Sequence, residues 1–281
     1  MTVLEVIHRS ADFLAKKGVD SPRLQTELLL AHLLKLPRMK LYLDFERQLS
    51  DAELAQLREL IVRRSQREPL QHITGSTSFC GLEITVNRHV LIPRPETELL
   101  AERGWNHLSP ITDGQALDFG TGSGCLAIAI AVKCPSARIC ALDVSNDALV
   151  IARQNAEANQ VASRIQFHHG DGFAALPENV QFDLILSNPP YIASAEIATL
   201  QPEVRDFDPL LALDGGVDGL DFYRRLAAQA GGFLKSGGKL MVEFGDGQAE
   251  AISQILRQQN WIVEAVTEDY SHRARILTAR R

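Results

Sequence analysis

A glycine-rich segment in the middle of the chain joins a strand-like stretch to a helix-like one. The strand-like residues 116–119 lead into a turn with glycines at positions 120, 122 and 124, and an apolar helix is predicted to begin near Cys125. Alternate glycines let the backbone bend sharply and leave room for a ligand against bare main chain near a helix N-terminus. The segment therefore predicts a strand, turn and helix with a ligand site at the turn.

From this point the chain alternates between strand-like and helix-like segments. The strand-like ones are residues 116–119, 137–143, 164–168, 182–187, 239–244 and 262–266, and helical stretches separate most of them. This alternation predicts an α/β domain in which helices cover both faces of a parallel sheet. Ligands in such domains bind beyond the carboxyl ends of the strands.

The first quarter of the chain has a different, helical pattern. Gly18 is expected to end a first helix, Pro22 to open a second, and a capping box formed by Ser50 and Glu53 to open a third. On the third helix an apolar stripe faces inward, and a set of arginines is expected to point outward (Arg58, Arg63, Arg64 and Arg67). We expect a helical bundle over residues 1–75, a β-hairpin linker over residues 76–90 and the α/β domain over residues 91–281.

Composition excludes several classes of function. The formal net charge of -6 gives no overall attraction to nucleic-acid phosphates. No run of 18 apolar residues and no N-terminal apolar leader occurs, so we expect a cytoplasmic protein without a membrane span. The four cysteines form no C-x-x-C pair and have no histidines at ligand spacing, so no metal site is expected.

The glycine turn departs from the dinucleotide-binding pattern, because the third glycine of G-x-G-x-x-G would fall at Cys125. It resembles instead the D-x-G-x-G-x-G loop of class I S-adenosylmethionine-dependent methyltransferases, in which the acidic residue, here Asp118, lies near the methionine portion of the cofactor. Asp143 ends the second strand, where a carboxylate can accept hydrogen bonds from ribose hydroxyls. The adenine ring is expected at residues 171–173. The predicted cofactor-binding residues are Asp118, Gly120, Thr121, Gly122, Ser123, Gly124, Asp143, Asp171, Gly172, Phe173 and Asn188.

The segment Asn188-Pro189-Pro190-Tyr191 follows the apolar residues 182–186, which places it beside the cofactor at the same sheet edge. The lone pair of an amide nitrogen is delocalised, so the nitrogen is a poor nucleophile. The Asn188 side-chain oxygen and the Pro189 carbonyl can take both hydrogens of a planar NH2 and draw the nitrogen toward tetrahedral geometry. The prolines preorganise these acceptors, and Tyr191 can restrict the tilt of the substrate. Adenine, cytosine and glutamine all present such a group, so the motif leaves the substrate open.

Three further blocks resemble the release factor glutamine methyltransferase (HemK/PrmC) family along most of the chain. They are Glu-Pro-Leu-Gln-His-Ile-Thr-Gly at 68–75, Val-Leu-Ile-Pro-Arg-Pro-Glu-Thr-Glu at 90–98, and Gly-Gly-Val-Asp-Gly-Leu-Asp-Phe-Tyr-Arg at 215–224. The resemblance implies methyl transfer from S-adenosylmethionine, with S-adenosylhomocysteine as product, to the glutamine of the Gly-Gly-Gln loop of class I peptide-chain release factors. It also implies that the helical domain grips this substrate, that Asn188, Pro189, Pro190 and Tyr191 hold the glutamine, and that residues 94–97, with Arg94 and Glu96, line the same cavity. We expect a monomer that binds no nucleic acid directly.

Two departures and three alternatives accompany this resemblance. Relatives often carry a large aromatic residue at the position of Gly172, and residues 270–275 lack a glycine usual near that turn. The chain could instead methylate a nucleobase amino group in DNA or RNA, or a ribosomal-protein glutamine. It could also be a binding module that kept the fold without catalysis. A nucleic-acid enzyme should show a basic face, and Arg63, Arg64 and Arg67, the one notable cluster, are expected to form a solvated helix face.

Overall fold

The computed structural model describes all residues from Met1 to Arg281. Contacts between residues divide the chain into two compact units. The first unit contains Met1–Ser76 and Gln201–Phe207, and the second contains Thr77–Leu200 and Asp208–Arg281. The sequence predicted a boundary near residue 75 and assigned all of residues 91–281 to one domain. The structure differs for residues 201–207, which belong to the helical unit.

The helices are α1 (Val3–Lys16), α2 (Pro22–Leu34), α3 (Arg38–Leu41), α4 (Asp51–Ser65), α5 (Leu70–Thr74), α6 (Pro95–Leu108), α7 (Cys125–Lys133), α8 (Asn146–Ala158), α9 (Pro202–Arg205), α10 (Asp221–Gln229) and α11 (Ala249–Gln258). The strands are β1 (Ser76–Phe79), β2 (Leu82–Thr85), β3 (Gln115–Phe119), β4 (Arg138–Asp143), β5 (Ile165–His169), β6 (Phe182–Ser187), β7 (Leu234–Glu243), β8 (Ile262–Glu268) and β9 (Ala274–Arg280). None of these helices is both long and apolar enough to cross a lipid bilayer.

The first unit is a bundle of helices around its own apolar core. The Ser50 side chain accepts from the backbone of Glu53 while the Glu53 side chain accepts from Ser50, which confirms the predicted capping box. Thr2 and Glu5 form a second capping box at the start of α1. Such caps satisfy N–H groups that the first turn of a helix leaves unpaired. Val3, Ile7, Leu14, Leu29 and Leu57 are among the buried side chains that the capped helices bring together.

Among the arginines expected to point outward from α4 and the residues after it, Arg58 is exposed and Arg63 is 43% exposed, whereas Arg64 and Arg67 do not form a solvated face. Arg64 is only 3% exposed, and its guanidinium pairs with Gln25 and with Glu203. Arg67 pairs with the same Glu203 carboxylate, and Arg63 pairs with Glu68. The expectation was wrong for Arg64 and Arg67 because helical periodicity within α4 carries no information about Glu203, which comes from residues 201–207 far along the chain.

The second unit is built on a seven-stranded sheet in the order β5-β4-β3-β6-β7-β9-β8. Neighbouring strands from β5 through β7 are parallel, as predicted, whereas β9 pairs antiparallel with both β7 and β8. The prediction of a parallel sheet is therefore wrong at this edge. Two apolar cores lie on the two faces, one containing side chains of α6, α7 and α8 and the other containing side chains of α10 and α11.

The strand order places the carboxyl ends of several strands at a common crevice. From β3 the sheet extends through β4 and β5 on one side and through β6 and β7 on the other. Ligands of doubly wound sheets bind at such a reversal of strand order. The last residues of the strands here include Phe119 of β3, Asp143 of β4, Ser187 of β6 and Glu243 of β7, so side chains from distant parts of the sequence meet at one edge.

Candidate active site

The side chain of Asp118 holds the turn after β3 in place through hydrogen bonds. This carboxylate accepts from the Thr121 hydroxyl at 2.6 Å and from the Ala127 backbone N–H at 3.1 Å. Burial raises its pKa to about 6, although both hydrogen bonds act in the opposite direction. The Asp118 side chain does not line the cavity at the sheet edge. Its contacts are those of a residue that shapes the turn.

Gly120 and Gly122 form an open cradle at the cavity wall. Both have positive φ, +77° and +54°, and a Cβ added at either would meet no atom within 4 Å. The turn's N–H groups are already engaged, because those of Gly120 and Thr121 donate to the Leu142 carbonyl and that of Gly122 donates to Asp143. Such a turn offers bare main chain and free space to a ligand, but few free donors for a phosphate.

Asp143, at the end of β4, faces this cradle. One carboxylate oxygen accepts from Gly122 N–H at 2.8 Å and the other accepts from Ser145 N–H at 2.9 Å. Burial raises the pKa of this carboxyl, while the backbone hydrogen bonds favour its charged form. Each oxygen can still accept a further hydrogen bond. The geometry suits a ligand that presents a pair of hydroxyl groups.

The segment after β5 has a different arrangement from the one expected. Asp171 and Gly172 line the cavity, but the Phe173 ring packs in the core against Phe119 and Phe233, at centroid distances of 4.8 and 4.7 Å. The structure therefore does not bring Phe173 to the cavity. Arg225 of α10 does line the cavity and pairs with Asp171 at 2.5 Å.

The Asn188 segment lies at the opposite side of the cavity. The Ser187 hydroxyl donates to the Phe119 carbonyl at 2.7 Å, which ties the end of β6 to the end of β3. Asn188 lines the cavity and its Nδ2 donates to Thr97 Oγ1 at 3.0 Å. The Asn188 side-chain oxygen is thus kept for another partner.

Tyr191, the last residue of the motif, is partly buried against the core. Its ring lies against Gly245, where an added Cβ would come within 3.0 Å of Tyr191 Cδ2. Its carbonyl accepts from the Gln248 side chain at 2.9 Å. Burial raises the pKa of the Tyr191 hydroxyl to about 12, so the phenol is neutral at physiological pH.

Arg94 and its neighbours contribute a further wall. The Arg94 guanidinium pairs with the buried Asp208 carboxylate at 2.8 Å, and burial raises the pKa of Asp208 to about 6 despite this ion pair. Arg94 and Thr97 line the cavity, whereas Glu96 does not. Arg94 is thus both ion-paired and in contact with the cavity.

The cavity collects most of the side chains predicted from the sequence and adds others. Cys125, Leu126, Leu142, Phe222, Arg225 and Leu211 also line it, and the sequence did not single them out. The predicted residues on the wall are Arg94, Gly120, Thr121, Gly122, Ser123, Asp143, Asp171, Gly172, Asn188 and Pro190. Those off the wall are Glu96, Asp118, Gly124, Phe173, Pro189 and Tyr191.

Comparison with solved structures and domain families defines the class of protein. A methyltransferase from Pyrococcus furiosus superposes with a TM-score of 0.55 at 19% identity, covering 78% of this chain and 97% of that one, which shows a shared fold. Residues 96–203 match the family described as methyltransferase small domain, and residues 5–75 match the PrmC N-terminal domain. The protein is a methyltransferase.

Curated relatives identify the family. The release factor glutamine methyltransferase of Geobacter sulfurreducens is 45% identical over 89% of this chain and 87% of its own length. That of Moorella thermoacetica is 38% identical over 100% of this chain and 99% of its own length. The chain belongs to the release factor glutamine methyltransferase family.

Proposed function

We propose that the protein transfers a methyl group from S-adenosylmethionine to the side-chain amide nitrogen of the glutamine in the Gly-Gly-Gln loop of class I peptide-chain release factors. The observation that carries the proposal is the position of Asn188 on one wall of the cavity whose other wall holds the glycine cradle and Asp143. The names of the full-length relatives support the choice of glutamine over a nucleobase amino group.

Residues of the cradle fit the proposed cofactor. Gly120 and Gly122 leave space in which a Cβ would otherwise stand, and Asp143 keeps acceptor capacity for the ribose hydroxyls. Asp171 and Gly172 would contact the adenine ring. When bound, S-adenosylmethionine supplies an electrophilic methyl group on a positively charged sulfur. Asp118 would act indirectly by holding the turn.

Asn188 and Pro189 would prepare the nucleophile. The Asn188 side-chain oxygen would accept one amide hydrogen of the substrate. Pro189 does not itself line the cavity, but its carbonyl directly follows Asn188 and would accept the other hydrogen, which frees the nitrogen lone pair. Two consecutive prolines fix the backbone at these acceptors before the substrate arrives. The nitrogen becomes positively charged as it is methylated and then loses a proton to solvent. Tyr191 stiffens the segment from the core side, since its ring packs on Gly245.

The helical unit would bind the body of the release factor. Its own apolar core and two capping boxes give it the rigidity that recognition of a protein surface needs. The match of residues 5–75 to the PrmC N-terminal domain supports this role.

Asn188→Ala tests the proposal. Removing one preorganised acceptor is expected to lower kcat on purified release factor by roughly 100-fold or more. Affinity for S-adenosylhomocysteine, measured by calorimetry, should change little, because the proposed hydrogen bond is made to the substrate. Gln254→Ala removes an exposed amide on α11 and serves as the matched control, with turnover expected at the wild-type level.

The same assay distinguishes the alternative substrates. The wild-type enzyme and labelled S-adenosylmethionine are incubated separately with release factors, ribosomal proteins and nucleic acid, and mass spectrometry locates the methyl group. Label on the Gly-Gly-Gln glutamine supports the proposal. Label confined to another substrate, or full turnover by Asn188→Ala, contradicts it.

A further inference from the structure

A buried carboxylate lies directly behind the Asn188 amide and is not explained by the chemistry described above. Glu243 ends β7, the strand that pairs with β6, and it is only 2% exposed. It does not line the cavity. The Thr97 and Asn188 side chains both face it as hydrogen-bond donors, and its Oε2 is buried without a partner. A charged group in such a place is costly unless it has a function or is fully paired.

We propose that Glu243 is a positioning residue that, together with Thr97, fixes the orientation of the Asn188 amide so that the Asn188 Oδ1 is presented to the substrate. The inference rests on the proposed function, because it assigns a cause to the acceptor role of Asn188.

The need for such a residue follows from the shape of an amide. The oxygen and the NH2 group of asparagine are nearly isosteric, so the side chain fits its site in two orientations related by a half turn. Only one of them offers an acceptor to the substrate. An ionised carboxylate accepts hydrogen bonds and cannot donate them, so Glu243 attracts Asn188 Nδ2 and repels Oδ1. Thr97 Oγ1, at 3.0 Å from Nδ2, supplies the second acceptor.

The protonation state of Glu243 should therefore control the orientation. The charged and titratable groups around it are Glu96 from α6, Tyr191 after β6, Tyr223 from α10 and Arg275 from β9. Burial raises the pKa of Glu243 to about 7. Below that pH the neutral acid can donate to Asn188 Oδ1, which stabilises the reversed amide. Turnover should accordingly rise as the pH increases through about 7.

Glu243→Gln is the central test because glutamine keeps the shape and can donate at every pH. At pH 8 we expect kcat to fall about 10-fold, which corresponds to the loss of one net hydrogen-bond preference. The rise of kcat with pH should disappear as well. Thr97→Val should lower kcat by a similar factor, and Thr97→Ser, which keeps the hydroxyl, should restore it. Glu102→Gln removes an exposed carboxylate on α6 and should leave the wild-type pH profile in place.

A spectroscopic measurement separates orientation from folding. The side-chain amide resonances of Asn188, assigned by comparison with Asn188→Ala, are followed by NMR against pH in the complex with S-adenosylhomocysteine. A shift with a midpoint near pH 7 in the wild type, and none in Glu243→Gln, is expected.

The experiments distinguish a failure of the positioning role from a failure of the proposed function. If wild-type enzyme methylates the release factor and Asn188→Ala does not, while Glu243→Gln keeps the wild-type kcat and pH profile, the positioning role is overturned and the proposed function stands. If neither the wild type nor any variant methylates the release factor, the proposed function itself is wrong. A folded Glu243→Gln with lower kcat, no pH step and an unchanged affinity for S-adenosylhomocysteine supports the inference.

Discussion

Gly172 and Arg225 lie side by side at the wall of the cavity. A Cβ placed at Gly172 would stand 2.1 Å from the Arg225 guanidinium. Gly172 also has φ of +84°, where a side chain is strained. The guanidinium is planar, pairs with Asp171 and lines the cavity. A guanidinium face can stack on a flat ring, so Arg225 is placed to contact a planar group of a ligand in the cavity.

Gly172→Phe is expected to destabilise the fold by roughly 2 kcal/mol and to weaken S-adenosylhomocysteine binding, because the ring competes with Arg225 for space. In an Arg225→Ala background the same substitution should cost less, since only the backbone strain remains. Thermal unfolding and calorimetric titration of the two single variants and the double variant measure this coupling. Arg224→Ala, which breaks exposed ion pairs to Asp218 and Asp221, is the control. Equal costs in both backgrounds would contradict the steric explanation.

The short segment of residues 201–207 contacts the helical unit through the carboxylate of Glu203. Glu203 pairs with Arg64 at 2.6 Å and with Arg67 at 2.5 Å. Burial alone would raise the pKa of Glu203, but hydrogen bonds from the two arginines outweigh it and lower that pKa. Removing one partner of such an ion pair is destabilising, because the other charge then remains buried without a counter-charge.

Glu203→Gln should lower the free energy of unfolding of the helical unit by about 2 kcal/mol, because the buried Arg64 loses its counter-charge. Urea unfolding followed by circular dichroism at neutral pH gives the value. The neighbouring Asp206→Asn breaks only the exposed pair with Arg205 and is expected to leave the free energy of unfolding nearly unchanged. Similar values for the two variants would show that Glu203 does not anchor the segment.

The strands and helices show how much of the fold could be predicted from the sequence. The first six strands of the sheet in chain order, β3 to β8, and most of the helices between them follow from local periodicity and from glycine and proline positions. Strand β9 was missed, because the turn before it contains no glycine and is shaped by Asp269, whose side chain accepts from the Ser271 and Arg273 backbone. A strand inserted between two others is set by pairing, and pairing leaves little local signal.

The candidate site residues likewise fall into those that the sequence predicted and those that it did not. Asp143, Asn188 and the glycine turn lie in contiguous motifs, so their place at the sheet edge could be predicted from chain order. Glu243 and Arg225 stand in unremarkable sequence and reach the site only through strand register and helix packing. One signal for Glu243 was available, namely an acidic residue directly after the apolar run 240–242 at the end of a predicted strand.

For the whole molecule, carboxylates with opposite pKa shifts determine how stability depends on pH. Glu27, Glu203 and Asp269 have lowered pKa values through donors and nearby arginines. These carboxylates stabilise the folded state at pH values above their pKa in the unfolded chain, and this stabilisation is lost as the pH falls below about 4.5. Burial raises the pKa of Asp118 and Asp208 to about 6 and that of Glu243 to about 7. These groups favour the folded state while protonated, and that contribution declines as the pH rises.

Glu243→Gln isolates one such contribution. The unfolded carboxyl titrates near 4.5 and the folded one near 7, so the native state binds more protons between these values and wild-type stability falls as the pH increases. Relative to the wild type, the glutamine variant should gain stability on the order of 3 kcal/mol between pH 4.5 and 8. The difference between the two proteins cancels the opposite effect of His107 and His168, whose pKa values are lowered by burial. Both tryptophans, Trp105 and Trp261, lie in the second unit, so urea unfolding followed by their fluorescence reports on the unit that contains Glu243. A stability difference that stays constant over this pH range would mean that Glu243 does not titrate near neutrality, and the pH step expected in turnover would then have no source.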